Sequence, residues 1–184
     1  MQKVDTITYR RKREGKTHYP TRLHLLSGDC VRLVVRRSLK NISAQLVQYA
    51  DTGDRVIVTA STTELVKKYG WKLNGGNLMS SYLVGMLIAR KAKDKGVAEA
   101  VLDIGQASST KGSRVYAVLK GALKGGLQVP HGAEILPSDD RVLGKHILDA
   151  AKTGKGFSKY KAAGIDPAAV PAQVQQISDK IMKG

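Results

Sequence analysis

Residues 31–60 contain three short runs in which apolar and polar residues alternate, and this spacing constrains the fold more than any other feature of the chain. VRLVVR occupies residues 31–36, ISAQLVQY residues 42–49 and VIVTA residues 56–60. Alternation of this kind is typical of strands that bury one face. The segments between the runs, RRSLKN and ADTGD, are short turn sequences. The pattern therefore predicts a three-stranded antiparallel meander.

Helical periodicity follows the meander. Ser61 and Glu64 form a capping-box signature, which predicts a short helix through Tyr69. Asn77 is suited to cap a second, longer helix that ends near Lys95. The longer segment carries a wide apolar stripe, so we expect it to be the main helix of the core.

Beyond the long helix, AVLDI at residues 100–104 predicts a buried strand that is parallel to its neighbour, because a crossover precedes it. The apolar spacing from Val115 onward predicts an amphipathic helix that ends at Gly125 and Gly126. A third helix is expected to begin after Ser138. Its expected buried residues are Val142, Leu143, His146, Ile147 and Ala150. The order predicts a single α/β domain, in which helices pack on a mixed sheet made of the meander and one crossover strand.

Charge is concentrated at the start of the chain. The sequence has 31 Lys and Arg against 15 Asp and Glu, a net charge of +16, and residues 1–40 hold +8 of it. Residues 41–151 are nearly balanced. We therefore expect a core domain at residues 28–151 between a basic N-terminal extension, residues 1–27, and a basic C-terminal tail, residues 152–184. Because the extension shows no sustained apolar period, it is expected to order on a partner. The tail is expected to contain one weak helix after Pro171 and to be otherwise largely unstructured when free.

This charge favours nucleic acid as the partner. An anionic membrane would attract the same charge, but no apolar stretch reaches the roughly 18 residues of a membrane span, and the N-terminus lacks the apolar centre of a signal peptide. The expectation is a cytoplasmic protein. Cys30 is the single cysteine, which excludes an internal disulfide and a cysteine zinc cluster.

The N-terminal extension interleaves basic and aromatic residues. YRRKR at residues 9–13 is continued by Lys16, His18, Tyr19 and Arg22. Cations neutralise phosphates and aromatic rings stack on unpaired bases, so this mixture favours contact with RNA. The alternative is a basic run that is simply solvated.

Two further basic segments are candidates for the same surface. Arg36, Arg37 and Lys40 lie around the predicted hairpin turn, where they either contact RNA or protect a sheet edge from aggregation. GQASSTKGSR at residues 105–114 resembles a nucleotide phosphate loop but has Thr110 and Gly112 where that loop needs Gly and Ser or Thr. It is better suited to an RNA phosphate at the start of the following helix, or it is a solvated connection.

Trp71, the single tryptophan, is a candidate for stacking on a base and equally a candidate core residue. Catalysis has little support in the sequence. Asp103 could belong to a carboxylate cluster of a metal-dependent nuclease, but such sites need several convergent acids. The four histidines show no spacing typical of metal ligands, so no metal and no cofactor is expected.

Several long motifs resemble the large-subunit ribosomal protein family that binds 5S ribosomal RNA, number eighteen in the bacterial naming, in its archaeal and eukaryotic form. The matching stretches are YRRKREGKTHYPTRLHLL, VRLVVRRSLKNISAQLVQYADTGD, YGWKLNGGN, YLVGMLIARKAKDKGVAEAVLDIG, TKGSRVYAVLKGALKGGLQVPH and ILPSDDRVLGKHI. They cover most of residues 9–150 in order. LKGGL at residues 123–127 departs from the resemblance, which would place an acid before the glycines, and the segment after about residue 152 lies outside it.

The resemblance implies a non-catalytic protein of the central protuberance that anchors 5S ribosomal RNA to the large ribosomal RNA and to neighbouring proteins. The residues implied to contact RNA are Tyr9, Arg10, Arg11, Lys12, Arg13, Lys16, Tyr19, Arg22, Arg36, Arg37, Ser38, Lys40, Lys111, Gly112, Ser113 and Arg114. Two hypotheses from other classes stay open from the residues alone. They are a metal-dependent nuclease on an α/β core and a generic binder of polyanions.

Overall fold

A four-stranded mixed sheet forms the centre of the molecule. The computed structural model describes residues 6–152, 157, 160 and 164–183. The strands are β1 (Arg32–Arg37), β2 (Ile42–Gln48), β3 (Arg55–Ser61) and β4 (Val101–Asp103), in the order β3-β2-β1-β4. β1 pairs antiparallel with β2 and parallel with β4. This confirms the α/β fold with a meander and one parallel crossover strand.

Three helices follow the meander and build one layer on the sheet. They are α3 (Thr62–Tyr69), α4 (Leu78–Asp94) and α5 (Arg114–Lys124). The predicted caps are confirmed, since the side chain of Ser61 accepts from the Glu64 N–H and that of Asn77 from the Ser80 N–H. α4 is buried along most of its length, as expected for the central helix.

Two glycines let α4 and α5 approach closely. A Cβ atom built on Gly85 would overlap the carbonyl oxygen of Val118, and one on Gly121 would overlap that of Tyr82. The two helix backbones are therefore in direct contact at this crossing. No side chain can be added at either position without separating the helices.

The helix predicted after Ser138 is divided in two. α6 (Asp139–Leu143) ends at Gly144, which has a φ of +84°, and α7 (Lys145–Lys152) follows. A Cβ atom at Gly144 would lie 2.7 Å from Met79 Sδ, so the break lets this segment pack tightly on α4. Ala150 is exposed, so its predicted burial is wrong.

The C-terminal segment contains α8 (Val170–Lys183), which is joined to the core. Its apolar stripe is buried and consists of Val170, Val174, Ile177 and Ile181. Arg90 of α4 donates hydrogen bonds of 3.1 Å to the carbonyl oxygens of Ile181 and Met182. The expectation of a largely unstructured tail is wrong for residues 167–183, because the i, i+4, i+7, i+11 stripe outweighs the low complexity of the sequence before it. Most of residues 153–163 lie outside the described part.

The described part of the N-terminal extension, residues 6–27, is called the arm below. It contains α1 (Arg10–Arg13) and α2 (Tyr19–Leu26), and neither helix has a buried residue. The arm nevertheless covers part of the sheet. Val34 and Val47, on the face opposite α4, are nearly buried although they do not belong to the main core. The arm is therefore docked on the sheet by groups other than an apolar core of its own.

Candidate nucleic-acid interface

The sheet face opposite α4, called the open face, carries a chain of alternating charges. β1 points Arg32, Val34 and Arg36 to this face, because successive side chains of a strand alternate. Arg32 is 2% exposed and lies between two carboxylates. Its Nη2 atom is 2.8 Å from Asp54 Oδ2 and its Nη1 atom is 3.1 Å from Asp103 Oδ2.

Asp103 is the inner carboxylate of this chain. Its Oδ1 atom accepts from Arg36 Nη2 at 3.3 Å and from the backbone N–H of Gly105 at 2.8 Å. Arg36 Nη1 also donates to the Asp103 carbonyl oxygen at 3.0 Å. Asp103 was the one residue that suggested nuclease chemistry. Its oxygens are instead taken by two arginines and a backbone amide.

Asp54 is the outer carboxylate, and it fastens the arm. Arg22 of α2 donates to both of its oxygens, with Nη1–Oδ2 and Nη2–Oδ1 distances of 3.0 and 2.8 Å. Hydrogen bonds from Arg22 and then from Arg32 hold the pKa of Asp54 below its ordinary value, against the effect of burial. Arg22, expected to contact RNA, uses its planar fork for this carboxylate. Its place in the structure is a bridge between arm and sheet.

The other predicted cations of the arm are exposed on α1 and the segment after it. Glu14 gathers two of them, with distances of 3.3 Å to Arg10 Nε and 2.7 Å to Lys16 Nζ. Arg11 Nε donates to Thr17 Oγ1 at 2.9 Å. Lys12 and Arg13 are exposed on the same helix.

The two tyrosines predicted in the arm lie together. Their ring centroids are 5.1 Å apart, with an angle of 44° between the ring planes. Tyr9 is 72% exposed, and Tyr19 is partly buried. Tyr9 therefore offers an aromatic surface to a base, while Tyr19 supports it from beneath.

The β1–β2 turn is held rigidly. Ser38 Oγ donates to the Asn41 carbonyl oxygen and accepts from the Asn41 N–H, at 2.9 and 3.0 Å. Thr62 Oγ1 donates to Asn41 Oδ1 at 3.1 Å and so ties the turn to α3. Arg37 and Lys40 extend into solvent from this fixed frame.

Arg114, the last residue of the phosphate-loop candidate, has a structural task. Its Nη1 atom donates to the carbonyl oxygens of Ser38 and Gly76, at 3.1 and 2.9 Å. It therefore joins the start of α5 to the β1–β2 turn and to the loop before α4. Ser113 precedes it as the N-cap residue but makes no side-chain cap hydrogen bond.

Two other residues of this loop also contact the rest of the fold. Gly112 has a φ of +68°, and its N–H donates to the Ile135 carbonyl oxygen at 2.9 Å. Lys111 Nζ lies 2.9 Å from Glu134 Oε2, and both side chains are well exposed. An ion pair this exposed contributes little to the stability of the fold, and Lys111 can leave Glu134 to bind another anion.

The arm, the β1–β2 turn and the loop after β4 lie side by side. A cavity of about 270 Å³ between the arm and the open face is lined by Arg11, Lys16, Arg36 and Gly105, among others. Arg36 also lines a second concavity, beside the turn and residues 104–107. The three basic segments that are separate in sequence therefore form one continuous surface, which we call the basic surface.

Trp71 is the exception among the predicted contacts. It is 2% exposed, and its Nε1 atom donates to the Asn74 carbonyl oxygen at 3.4 Å. A ring enclosed in this way cannot stack on a base. The expectation of RNA contact by Trp71 is wrong, and its role is to pack the core beneath the loop before α4.

Sequence reasoning did not find the charge chain of the open face. In the sequence, Arg32 is a polar position within the alternating run VRLVVR, and Asp54 belongs to the turn segment ADTGD. The available signal was the recurrence of Arg at positions 32 and 36 on one strand face with an acid at the end of a predicted neighbouring strand. Pairing β1 with β4 was needed to bring Arg32 and Asp103 together.

Two other features are absent from the described residues. They contain no group of three or more His, Cys, Asp or Glu side chains arranged to hold a metal ion. Among the helices in the described ranges, none is long and apolar enough to cross a membrane.

One comparison with known proteins bears on this surface. The family model described as ribosomal large subunit proteins 60S L5 and 50S L18 matches residues 5–97 and 91–132 of the chain. The matched region contains the arm, the whole sheet, and helices α3, α4 and α5. It therefore includes every part of the basic surface.

Proposed function

Because the chain belongs to this family of large-subunit ribosomal proteins, we propose that it binds 5S ribosomal RNA and anchors it to the large ribosomal RNA in the central protuberance. The family places the protein in the ribosome, with ribosomal RNA and ribosomal proteins as its partners. The proposed location of the protein is therefore the cytoplasm, as part of the ribosome. The protein acts there as a structural component without chemistry of its own.

The basic surface carries this proposal. The exposed cations of α1 and of the β1–β2 turn lie on adjoining segments around Arg36 and Gly105, and Lys111 is exposed in the loop that follows β4. Binding of RNA phosphates to these cations releases counterions, which supplies affinity. Folded RNA is recognised largely by shape and by unstacked bases, and a rigid turn beside an exposed Tyr9 suits both. The docked arm presents part of this surface before RNA binds, so α2 need not be ordered by the partner.

The environment of Asp103 argues against the nuclease hypothesis, which depends on this residue. A catalytic carboxylate must be free to bind a metal ion, whereas Asp103 accepts from Arg32, Arg36 and the Gly105 N–H. The generic polyanion binder is distinguished only by selectivity among RNAs.

The deciding experiment compares 5S ribosomal RNA with a transfer RNA and with a random RNA duplex of equal length. Affinities are measured by filter binding over a salt titration, with Mg²⁺ present and RNA integrity followed on gels. A preference for 5S RNA that persists at raised salt, with intact RNA, supports the proposal. Equal affinity for the three RNAs would favour the generic binder, and breakdown of the RNA would favour the nuclease.

A pair of charge-matched variants tests the surface itself. Alanine at Arg10, Arg11, Lys12 and Arg13 removes four charges from α1. Alanine at Lys67, Lys93, Lys95 and Lys124 removes four exposed charges from other parts of the fold. The first variant should weaken binding and reduce the slope of log K against log salt by up to about 3. The second should change both quantities far less, and equal effects of the two variants would contradict the proposed surface.

A further inference from the structure

The region beside the β1–β2 turn forms a cleft of about 490 Å³, and we propose that it holds one unstacked nucleotide of the bound RNA with its base against Leu39. This inference rests on the proposed function. The cleft lies between the turn and residues 104–107, which follow β4. The residues that matter for recognition are Arg36, Arg37, Leu39, Ile104, Gln106 and Arg114.

The chemistry of the cleft fits a nucleotide. Leu39, Ile104 and Ala107 supply apolar surface for the face of a base. Arg36, Arg37 and Arg114 also line the cleft, and its described lining contains no carboxylate. A nucleotide likewise combines an apolar part, the flat face of its base, with a charged part, its anionic phosphate. The size lies within the range of ordinary small-molecule sites.

Leu39 is 86% exposed, the most exposed of the large apolar residues in the described ranges. A single exposed leucine is common on protein surfaces and by itself means little. Here, however, the leucine sits at the tip of a turn whose backbone is fixed on both sides. Arg37, two residues before it, and Lys40, directly after it, would draw an RNA strand across it.

Close packing behind the turn prevents it from withdrawing. A Cβ atom on Gly76 would overlap the Leu39 carbonyl oxygen, and one on Gly75 would lie 2.8 Å from the Lys40 carbonyl oxygen. The two glycines thus allow the loop before α4 to support the turn backbone directly. Arg114 adds its hydrogen bonds to Ser38 and Gly76 from the other side. Leu39 is consequently presented at little further cost in conformational entropy.

The opposite wall is fixed as well. Gly105 has a φ of +63°, and a Cβ atom there would lie 2.8 Å from Arg36 Cζ. The glycine therefore lets residues 104–107 pass over the Arg36 guanidinium. Gln106 is exposed at this point and lines the cleft. Its amide can both donate to and accept from the edge of a base.

Two cations remain available for the phosphate. Arg37 makes no side-chain hydrogen bond or ion pair with any described residue. Arg114 uses Nη1 for both of its carbonyl contacts, which leaves its other N–H groups free to donate. A guanidinium fork matches two phosphate oxygens, so either arginine can hold the backbone next to the unstacked base.

The test measures binding of the full chain to 5S ribosomal RNA by filter binding at one salt concentration and over a salt series. Leu39→Ala should raise Kd about tenfold, because it removes the apolar contact. It should leave the salt slope unchanged, because leucine neutralises no phosphate. Leu39→Met should restore affinity to within about threefold of wild type. Val66→Ala, a change at another exposed apolar residue on α3, should have no effect.

The outcomes separate this inference from the proposed function. If wild-type protein shows no preference for 5S RNA over transfer RNA, both are overturned. If wild type keeps its preference and Leu39→Ala binds equally well, only the nucleotide site is overturned, and the turn is left as a surface for a neighbouring protein. A loss that is the same for transfer RNA and duplex would also overturn the site, because it would not depend on an unstacked base.

A photo-crosslink gives an independent answer that does not depend on affinity. A benzophenone amino acid replacing Gln106 should react with one position of 5S RNA, in a loop or bulge. The same label replacing Val66 should give no crosslink. Reaction within paired segments, or at many positions, would overturn the proposal.

Discussion

Arg32 and Asp103 form a buried ion pair that joins β1 to the short edge strand β4, with 3.1 Å between Arg32 Nη1 and Asp103 Oδ2. The pairing of β4 with β1 is short and consists of three residue pairs. The ion pair ties the two strands on the open face. Through Asp54 and Arg22 the same chain of charges reaches the arm.

Asp103→Asn should destabilise the fold by about 3 kcal/mol, because Arg32, which is 2% exposed, would lose one of its two charged partners. Urea unfolding with an unchanged m-value measures this loss. Asp140→Asn is the matched control, since its pair with Lys145 is exposed and should be worth less than about 1 kcal/mol. Equal stability of Asp103→Asn and wild type would show that the buried pair contributes nothing.

Asp54→Asn should make the free energy of unfolding depend less on pH in the acid range. The pKa of Asp54 is lowered in the fold, so its carboxylate stabilises the protein above the unfolded pKa of about 4. That contribution is lost as the pH falls through the lower, folded pKa. The stability difference between wild type and variant should therefore shrink as the pH falls below about 4. Asp51→Asn, at an exposed residue with no described ion pair, is the matched control and should change stability at pH 7 by less than about 0.5 kcal/mol.

Gly85→Ala should destabilise the fold although alanine is the better helix former by about 1 kcal/mol. The added Cβ would overlap the Val118 carbonyl oxygen and push α4 away from α5, at a cost of about 3 kcal/mol. Thermal unfolding should show a lower Tm. Lys93→Ala, at an exposed position of the same helix, should leave Tm nearly unchanged, and an unaltered Tm in Gly85→Ala would contradict the close helix contact.

Ile177→Ala should cost about 3 kcal/mol, because Ile177 is 3% exposed in the stripe that joins α8 to the core. Chemical denaturation measures the change. Gln176→Ala on the exposed side of α8 should change stability by less than about 0.5 kcal/mol. Two equally small effects would mean that α8 is not part of the cooperative unit.

The emission of Trp71 should be blue-shifted and poorly quenched by iodide, because the ring is enclosed in the core. Saturating 5S RNA should leave the emission maximum where it is. Unfolding in urea supplies the control, since it exposes the same ring and should shift the emission to the red. Strong quenching by RNA with little quenching by iodide would indicate base stacking instead.

The elements with strong local signals were predictable. Ser61 and Asn77 cap their helices as their sequence context indicates, because capping depends on residues only three positions apart. The strands of the meander appear close to their predicted bounds for a similar reason. The break at Gly144 was missed because a glycine within an apolar period reads as a tolerated helix residue, while contact with Met79 decides otherwise. The helix after Pro171 is predicted only as a weak one, because the low complexity of the segment before it obscures the regular apolar stripe of α8.

Among the candidate contacts, position in the chain predicted which segments carry charge but not what each charge does. Arg10, Lys12 and Arg37 are exposed, and their contact with RNA stays a prediction. Arg22 and Arg114 have the same charge but hold the arm and the turn in place. The difference lies in Asp54 and in two carbonyl groups, which are distant in sequence and reach these arginines only after folding.

Local patterns in the sequence were enough to predict the class of fold, the helix caps, the placement of positive charge and, through the longer motifs, the family. These properties depend on composition and on residues a few positions apart. Tertiary structure alone decided that Trp71 is internal, that Asp103 is neutralised by arginines, and that Leu39 stands over a cleft between two distant loops. Such properties depend on contacts between segments separated by many residues, as when the pairing of β1 with β4 brings Arg32 to Asp103.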